Sequence, residues 1–333
     1  MLAFAVLSLV SVMVAALYVG SAIDRARIGS GDGATTAASA MRLPDAPVLI
    51  FLSSRDGIRH TVSWTALGGP DGEVHTSTLE CQRVYYAAGR GLCAGTNGLG
   101  SGLSIFDRDL RVTQTLGLQG IASRARISSD GRFGATTYFV AGDSYADVGF
   151  STRTTIIAMA TGTVVGELED FATYKDGVRI QSIDFNFWGV TFAQDSNRFY
   201  ATLGTRGEMF LVAGDIAARE MRVLHAGVEC PSLSPDGTRL AFKKRVPSQV
   251  PLTVRWRLYV LDLTTMSEAP LAETRSVDDQ VEWLDADRLV YFLPDAGPPA
   301  TIRPDLWTLD LRGGAPTLLR TGAVSAGASH SSP

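Results

Sequence analysis

Short stretches in which apolar and polar residues alternate, each bounded by a tight polar turn, run along most of this chain. The clearest turn is Ser-Pro-Asp-Gly at residues 234–237, which precedes an alternating stretch at residues 239–244. Pro235 presets φ at the first central turn position, Asp236 can bond to its own backbone, and Gly237 accepts a positive φ. The pattern predicts a strand, a tight turn and a second strand with one buried face.

Degenerate copies of this strand–turn–strand unit recur along the chain. Four of the five copies keep an Asp in the turn, and each is followed by an apolar strand. A strand–turn–strand unit that repeats about every 40–50 residues is typical of a β-propeller blade. The copies lie at residues 84–92, 127–134, 192–200, 233–242 and 283–291.

A second signature, an apolar strand that ends in Asp, follows several of the turns. It is clearest at residues 257–263 and 306–311, with weaker relatives at residues 103–107 and 209–215. Together the two signatures resemble the repeats of the TolB-type propeller family, whose blades carry a Ser-Pro-Asp-Gly turn and a later Ile-Tyr-Val-x-Asp strand. The resemblance covers roughly residues 47–322 and implies an all-β propeller.

We expect six blades of four antiparallel strands each, because about 275 residues at about 45 per blade give six. The strands at residues 48–52 and 60–64 precede the first turn copy and would form the sixth blade. A C-terminal segment at residues 316–319 would complete that blade and hide the edges of the ring. A ring of seven blades is the alternative.

The acidic turn residues have a structural interpretation. Asp130, Asp195, Asp236 and Asp285 occupy equivalent positions in different blades, so each is expected to bond within its own turn. Together with Gly237, they are predicted to stabilise turns and not to act as catalytic or metal-binding residues.

An uncharged apolar stretch at residues 2–23 predicts one hydrophobic helix within residues 1–28, ahead of the propeller. Its length suits a single-pass membrane anchor, and a cleaved signal peptide is the alternative. Residues 29–46 are small, polar and proline-containing, which predicts a flexible linker. The propeller would occupy residues 47–322, followed by a disordered tail at residues 323–333.

Two features of the sequence bear on which side of the membrane the propeller lies. Arg25 and Arg27 follow the apolar stretch, which by itself favours a cytoplasmic propeller. Cys81 and Cys93 lie in a predicted hairpin and would come within disulfide reach if the register agrees, which favours an oxidising compartment. Two buried thiols are the alternative for this pair, and Cys230 is expected in the core. We expect a single-pass protein of the cell membrane with an extracytoplasmic propeller, or a secreted protein after signal cleavage.

Charge and residue spacing exclude several kinds of partner. The net charge is −4, and the longest basic run, residues 243–245, is interpreted as a solvated strand end. We therefore expect no nucleic-acid partner. The cysteine and histidine spacing matches no zinc motif, and we expect no metal and no cofactor.

No catalytic motif is found in the sequence. A serine hydrolase of the lipase or oligopeptidase kind needs a Gly-x-Ser-x-Gly elbow, which this chain lacks. His60, His75, His225 and His330 are scattered along the chain, and none has a partner motif. We expect a protein that is not an enzyme.

An insertion between the second and third turn copies exceeds the repeat period by about 20 residues. Exposed loops on a rigid ring are where propellers carry recognition. Tyr174, Phe187 and Trp188 in this insertion are candidate anchors for a partner. Packing of these aromatic side chains between blades is the alternative.

Two functions fit these observations. The resemblance implies a membrane-tethered or exported TolB-like propeller that binds an unknown protein or peptide, without catalytic chemistry. TolB-like proteins place an α/β domain before the propeller, where this chain has a hydrophobic segment and a linker. The alternative is a lactonase-like, metal-dependent hydrolase, which needs acidic or amide side chains that converge in the central channel.

Overall fold

The computed structural model describes residues 42–54, 60–67, 73–95, 101–140, 151–250, 253–294 and 304–329. In these residues twenty-six strands form six sheets, which are the blades of a β-propeller. The prediction of an all-β, six-bladed propeller is confirmed.

The first half of the described chain contains eleven strands. They are β1 (Val48–Ser54), β2 (His60–Ala66), β3 (His75–Glu80), β4 (Arg83–Ala87), β5 (Arg90–Ala94), β6 (Leu103–Asp107), β7 (Val112–Leu116), β8 (Ile121–Ile127), β9 (Phe133–Val140), β10 (Ser151–Ala158) and β11 (Thr163–Glu167).

The second half begins with a short 3-10 turn, Leu168–Asp170, and continues with fifteen strands. They are β12 (Ala172–Lys175), β13 (Val178–Ile180), β14 (Asn186–Phe192), β15 (Arg198–Thr205), β16 (Glu208–Asp215), β17 (Glu220–Ala226), β18 (Glu229–Leu233), β19 (Arg239–Val246), β20 (Arg255–Asp262), β21 (Glu268–Pro270), β22 (Glu282–Trp283), β23 (Arg288–Pro294), β24 (Pro304–Asp310), β25 (Thr317–Thr321) and β26 (Ala323–Ser329).

Each blade is a sheet that starts beside the central axis. From the axis outward, blade 1 contains β26, β1, β2 and β3, blade 2 contains β4 to β7, and blade 3 contains β8 to β11. Blade 4 contains β14 to β17, blade 5 contains β18 to β21, and blade 6 contains β22 to β25. Blade 4 is wider than predicted, because the insertion forms a hairpin, β12–β13, that pairs in parallel with the outer strand β17.

The second strand of blade 5 shows why the blades hold together. In β19, Leu240 and Phe242 pack with Leu211 of blade 4, whereas Ala241 packs with Trp283 of blade 6. The alternating sequence predicted a strand with one buried face, and this expectation is wrong. Both faces are buried because each blade lies between two neighbouring blades, so alternate residues contact different blades.

The ring closes through the C-terminal strand β26, which is innermost in blade 1 and pairs antiparallel with β1. The hydroxyl of Ser329 accepts a hydrogen bond from the backbone N–H of Val48 at 3.0 Å. The hydroxyl of Ser325 accepts one from the N–H of Val84, in blade 2, at 3.1 Å. The closing strand is therefore bonded to both sides of the junction.

Two predictions about the C-terminal residues are wrong. Residues 317–319 lie in β25, the outer strand of blade 6, and do not close the ring. Residues 323–329, predicted as part of a disordered tail, are the closing strand itself. The small side chains of these residues suggested disorder. They are instead suited to a strand beside the axis, where neighbouring strands are crowded together. A Cβ added at Gly327 would lie 2.9 Å from the ring of Tyr85.

The packed domain also begins earlier than residue 47. Leu43 is buried, and its backbone N–H donates to the carbonyl of Arg108 at 2.8 Å. The side chain of Arg108 forms an ion pair with Asp45. The last part of the predicted linker is thus bound to blade 2. The rest of it, and the hydrophobic helix predicted within residues 1–28, lie outside the described residues.

A disulfide joins Cys81 and Cys93, whose Cα atoms are 5.3 Å apart. The two residues do not face each other across the hairpin, because the register places Val84 opposite Cys93. Cys81 lies between β3 and β4, so the bond fastens the junction of blades 1 and 2 to the interior of blade 2. A bond that closes a loop of this size stabilises a fold by about 3 kcal/mol.

Strand direction gives the propeller two different faces. The turns that follow the innermost strands, such as residues 128–131 and 234–237, lie on one face, which we call the turn face. The innermost strands begin at the opposite face, which we call the channel face. Because neighbouring strands of a blade are antiparallel, the connections between second and third strands also lie on the channel face.

No helix in the described part of the chain is long and apolar enough to span a membrane.

Removal of residues 323–333 should lower the melting temperature by at least about 10 °C, since a loss of that size matches a few kcal/mol for a domain of this length. The reason is that the inner edge of β1 loses its partner strand. Removal of residues 330–333 alone is the matched control and should leave thermal unfolding, followed by circular dichroism, unchanged. Wild-type melting of the longer truncation would show that β26 does not close the ring.

Candidate binding face

The predicted turn carboxylates bond within their own turns. Asp236 accepts hydrogen bonds from the hydroxyl of Ser234 at 2.5 Å and from the N–H of Thr238 at 3.0 Å. These hydrogen bonds, and most strongly the one from Ser234, lower the pKa of Asp236. Gly237 completes the turn with a φ of +73°. Asp130, Asp195 and Asp285 accept backbone N–H bonds from Arg132 (2.9 Å), Arg198 (2.8 Å) and Arg288 (2.8 Å), respectively.

Hydrogen bonds between turns of neighbouring blades were not foreseen from the sequence. In each of them a long polar side chain of one blade donates to a backbone carbonyl in the turn of the next blade. The polar side chains beside the Asp of each copy were the available signal. These hydrogen bonds join neighbouring blades at the turn face, so these polar side chains of the turn face are already bonded within the ring. The donors and acceptors are Arg90 and Gly131 (3.3 Å), Arg132 and Asp195 (3.0 Å), Gln194 and Pro235 (2.8 Å), and Arg239 and Ala286 (2.7 Å).

Two of the three predicted aromatic anchors are buried. Phe187 and Trp188 lie in β14, at 0 % and 7 % exposure, and Phe187 packs in the largest apolar cluster between blades 3 and 4. The expectation that they contact a partner is wrong, and the alternative of packing between blades describes them. Tyr174 differs, because it lies on the added strand β12, partly exposed, with the guanidinium of Arg222 5.5 Å from its ring centre.

A cavity of about 570 Å³ opens beside the insertion. Its walls are the start of β10, the 3-10 turn, the hairpin β12–β13 and the segment that leads into β14. The start of β10 and the segment that leads into β14 lie on the channel face, whereas β12 begins beside the start of β17, nearer the turn face. The lining is mainly polar and includes Arg153, Glu169, Asp170, Arg179, Gln181 and Asn186.

Glu169 is the unusual group in this cavity. Both of its carboxylate oxygens lie 3.1 Å from the backbone N–H of Thr154. Burial raises the pKa of Glu169 to about 8. At neutral pH its carboxyl group is therefore mostly protonated and can donate a hydrogen bond as well as accept one. Nothing in the linear sequence distinguishes Glu169 from the other acidic residues, so sequence reasoning missed it.

The charged residues at the open side of the cavity are unpaired. Among the described residues, neither Asp170 nor Arg179 has an oppositely charged side chain within 4.0 Å. Arg179 is exposed on the edge strand β13, and Asp170 is exposed at the end of the 3-10 turn. The cavity can therefore offer one free cation, one free anion and a partly buried carboxylic acid to a polar ligand.

Side chains from opposite blades meet across the axis and close the central channel. Arg126 of blade 3 forms an ion pair with Glu282 of blade 6 at 3.0 Å, and both side chains are buried. The hydroxyl of Tyr85, in blade 2, donates to the same carboxylate at 3.2 Å. The amide of Gln280 donates to backbone carbonyls of blades 4 and 5. Five of the six blades are tied together at this level.

The basic run at residues 243–245 was predicted to be a solvated strand end; Arg245 is exposed as predicted, but Lys243 is buried. The side chain of Lys243 is 4 % exposed and forms an ion pair with Asp278. Its ammonium nitrogen also lies 4.5 Å from the ring centre of Trp256. The side chains of the run are therefore held in ion pairs and not simply solvated. The other pairs are Lys244 with Glu268 and Arg245 with Glu229.

The lactonase-like alternative requires metal ligands that converge. In the part of the chain that the structure describes, no group of three or more His, Cys, Asp or Glu side chains is close enough to hold a metal ion. The channel carboxylates of Glu282 and Asp278 instead contact Arg126 and Lys243.

Comparison with known proteins addresses the fold. No protein-family model matches the chain, and no curated protein matches its sequence. Among solved structures, it is similar to TolB from Acinetobacter baumannii, with a TM-score of 0.58 and 14 % identity over 86 % of this chain and 68 % of that chain. The chain has the fold of a TolB-like six-bladed propeller.

The chain is also similar in fold to other solved structures. One is a protein described as a TolB from Agrobacterium tumefaciens, at a TM-score of 0.54 and 12 % identity over 86 % of this chain and 93 % of that chain. Another is a chain of the nidogen/laminin complex, at a TM-score of 0.57 and 10 % identity over 86 % of this chain and all of that chain (100 %). Identities this low establish the architecture alone.

Glu169 should make the stability of the propeller depend on pH. In the folded state the pKa of Glu169 is about 8, raised from 4.5. Between these two pH values the folded protein keeps a proton that the unfolded chain has lost, so the stability of the fold falls as the pH rises through this range. Glu169→Gln stays neutral and should be more stable than the wild type at pH 9, by on the order of 2 kcal/mol. Urea unfolding between pH 5 and pH 9 measures the difference.

Glu208→Gln is the matched control, because Glu208 is an exposed glutamate at the start of β16, on the channel face. Its pH profile should follow that of the wild type. Parallel profiles for Glu169→Gln and the wild type would show that the carboxyl group does not titrate in this range.

Proposed function

We propose that this chain is an exported or membrane-tethered scaffold whose channel face binds a protein or peptide, without catalytic chemistry. The observation that carries this proposal is the cavity of about 570 Å³ walled by the inserted hairpin β12–β13. A hairpin that departs from the propeller repeat, beside a cavity with unpaired charged side chains, is the part of the ring best suited to a ligand.

The lining of the cavity indicates the kind of partner. Asp170 and Arg179 offer charges of both signs, and Glu169 offers a carboxylic acid, so the bound segment should be polar and carry charges of its own. Tyr174 on the same hairpin provides a partly exposed aromatic side chain beside these groups. A nucleic acid is a poor fit, because the chain has a net charge of −4.

The cysteines support an extracytoplasmic location. A disulfide between Cys81 and Cys93 persists in oxidising compartments and is rare in the cytosol. The apolar stretch at residues 2–23 would serve as the anchor or the export signal. In this arrangement the propeller lies outside the cytoplasm, tethered to the cell membrane or released from it.

Thiol labelling in the producing cells tests this location. After rapid acid quenching and denaturation, a maleimide of high mass should label only Cys230 of the chain's three cysteines. Prior reduction should raise the label to three per chain. Three labels without reduction would place the propeller in a reducing compartment and contradict an extracytoplasmic location.

A photo-crosslinking amino acid at Tyr174 or Arg179 should give a covalent adduct with the partner in intact cells. The same amino acid at Thr264, which is exposed on the turn face, is the matched control and should give none. Asp170→Ala combined with Arg179→Ala should reduce the adduct from position 174 by about fivefold, equal to about 1 kcal/mol of binding energy. The readout is the mass of the adduct and the identity of the crosslinked peptide.

Adducts from position 264 but not from positions 174 and 179 would move the binding face to the turn face. An unchanged yield in the double variant would show that the cavity charges do not contact the partner.

A further inference from the structure

Two arginine side chains lie side by side where the innermost strands of blades 2 and 3 approach the axis. Arg83 begins β4, and its Nε donates to the carbonyl of Ser123 at 2.6 Å. Arg124 lies in β8, and its Nη1 donates to the same carbonyl at 2.8 Å. One carbonyl thus holds two guanidinium groups together. Burial, and then the charge of Arg124, lower the pKa of Arg83 to about 10.

These two cations differ from the other basic residues around the channel. Among the described residues, no carboxylate lies within 4.0 Å of either guanidinium, whereas Arg126 and Lys243 each have one. Asp279 is near, but its carboxylate oxygens accept the backbone N–H groups of Gln280 at 2.8 Å and Phe292 at 3.1 Å. The pair therefore retains hydrogen-bond donors for an anion.

A cavity of about 20 Å³ lies between these groups, and its lining includes Arg83, Arg124, Asp279, Gln280 and Ser325. Two buried atoms of its lining have no hydrogen-bond partner, the donor Nε of Arg124 and the acceptor Oε1 of Gln280. Gln280 is 4 % exposed, and its orientation is set because its Nε2 donates to the carbonyls of two other blades. An occupant must accept from the arginines and donate to Gln280.

The shape of the channel limits how an occupant enters. Below this level, toward the turn face, the buried contact of Arg126, Glu282 and Tyr85 closes the axis. Arg83 and Arg124 themselves keep partial exposure, so solvent reaches them. A closed channel admits the end of a chain, whereas an internal segment has no exit.

We propose that Arg83, Arg124 and Gln280 bind the C-terminal carboxylate of a peptide that enters the channel. This inference rests on the proposed peptide-binding function and names a second contact on the same face. The carboxylate accepts from the two guanidinium groups, and the N–H of the last peptide bond donates to Oε1 of Gln280. A free anion lacks the donor that Oε1 of Gln280 needs.

Isothermal titration calorimetry of the whole propeller at low ionic strength tests this site with three probes. They are N-acetyl-alanyl-alanine, the same dipeptide with a C-terminal amide, and sodium acetate. The free acid should bind at least about tenfold more tightly than the amide or acetate, as expected for charge-assisted hydrogen bonds. Arg124→Lys should weaken binding of the free acid by about tenfold, because lysine lacks the planar guanidinium group that can donate two parallel hydrogen bonds to a carboxylate.

Arg206→Lys is the matched control, because Arg206 is exposed on the channel face and its side chain forms no ion pair within the described part of the chain. This variant should bind the free acid like the wild type. Circular dichroism shows whether each variant is folded. If Arg124→Lys does not fold, the comparison of the three probes on the wild-type protein decides.

Equal binding of the free acid and the amide, or no binding of the free acid in the millimolar range, would overturn the proposal. Acetate that binds as tightly as the dipeptide would reduce the site to one for free anions and overturn the peptide assignment. Crosslinking from Tyr174 that succeeds while these titrations fail would leave the proposed scaffold function standing. Failure of both would remove the binding function itself.

Discussion

No blade of this propeller can bury its apolar residues alone, and that constraint governs the rest of the structure. The middle strands have two buried faces, as Ala241 and Phe242 show by packing against different neighbouring blades. A missing or displaced blade would therefore expose apolar surface on both of its neighbours. The ring must be complete, which is why β26 pairs with β1. It is also why the buried ion pair of Arg126 and Glu282 can span the axis from blade 3 to blade 6.

Much of this fold could be predicted from the sequence because the turn chemistry is local. The bond from Ser234 to Asp236 spans two residues, so its pattern is visible in the linear sequence wherever it recurs. The copies located five blades, and the length of the repeat region predicted a sixth. The closing strand could not be found in this way, because the Ala, Ser and Gly residues of β26 are suited to a crowded axis and look like a disordered tail when the axis is unknown.

The candidate binding face was only partly predictable. The insertion could be located because it breaks the repeat, and it does wall a cavity. Two of its three candidate aromatic residues were the wrong choice, since Phe187 and Trp188 lie on an innermost strand and are buried. Glu169 gains its character from burial, which sequence does not show. The channel groups come from blades that are distant in sequence: Arg126 and the carbonyl of Gln280 that it contacts are 154 residues apart.

The closure of the ring has a consequence for the order in which the propeller folds. Val48 and Ser329, which meet in the closing pair, are separated by 281 positions. Contacts of such separation form late, because local contacts form first and the entropy of a very long loop must be overcome. The unpaired edge of β1 is then open to strands of other chains until residue 329 arrives. A cell that makes this chain must therefore protect the edge of β1 until β26 has been synthesised and has paired with it.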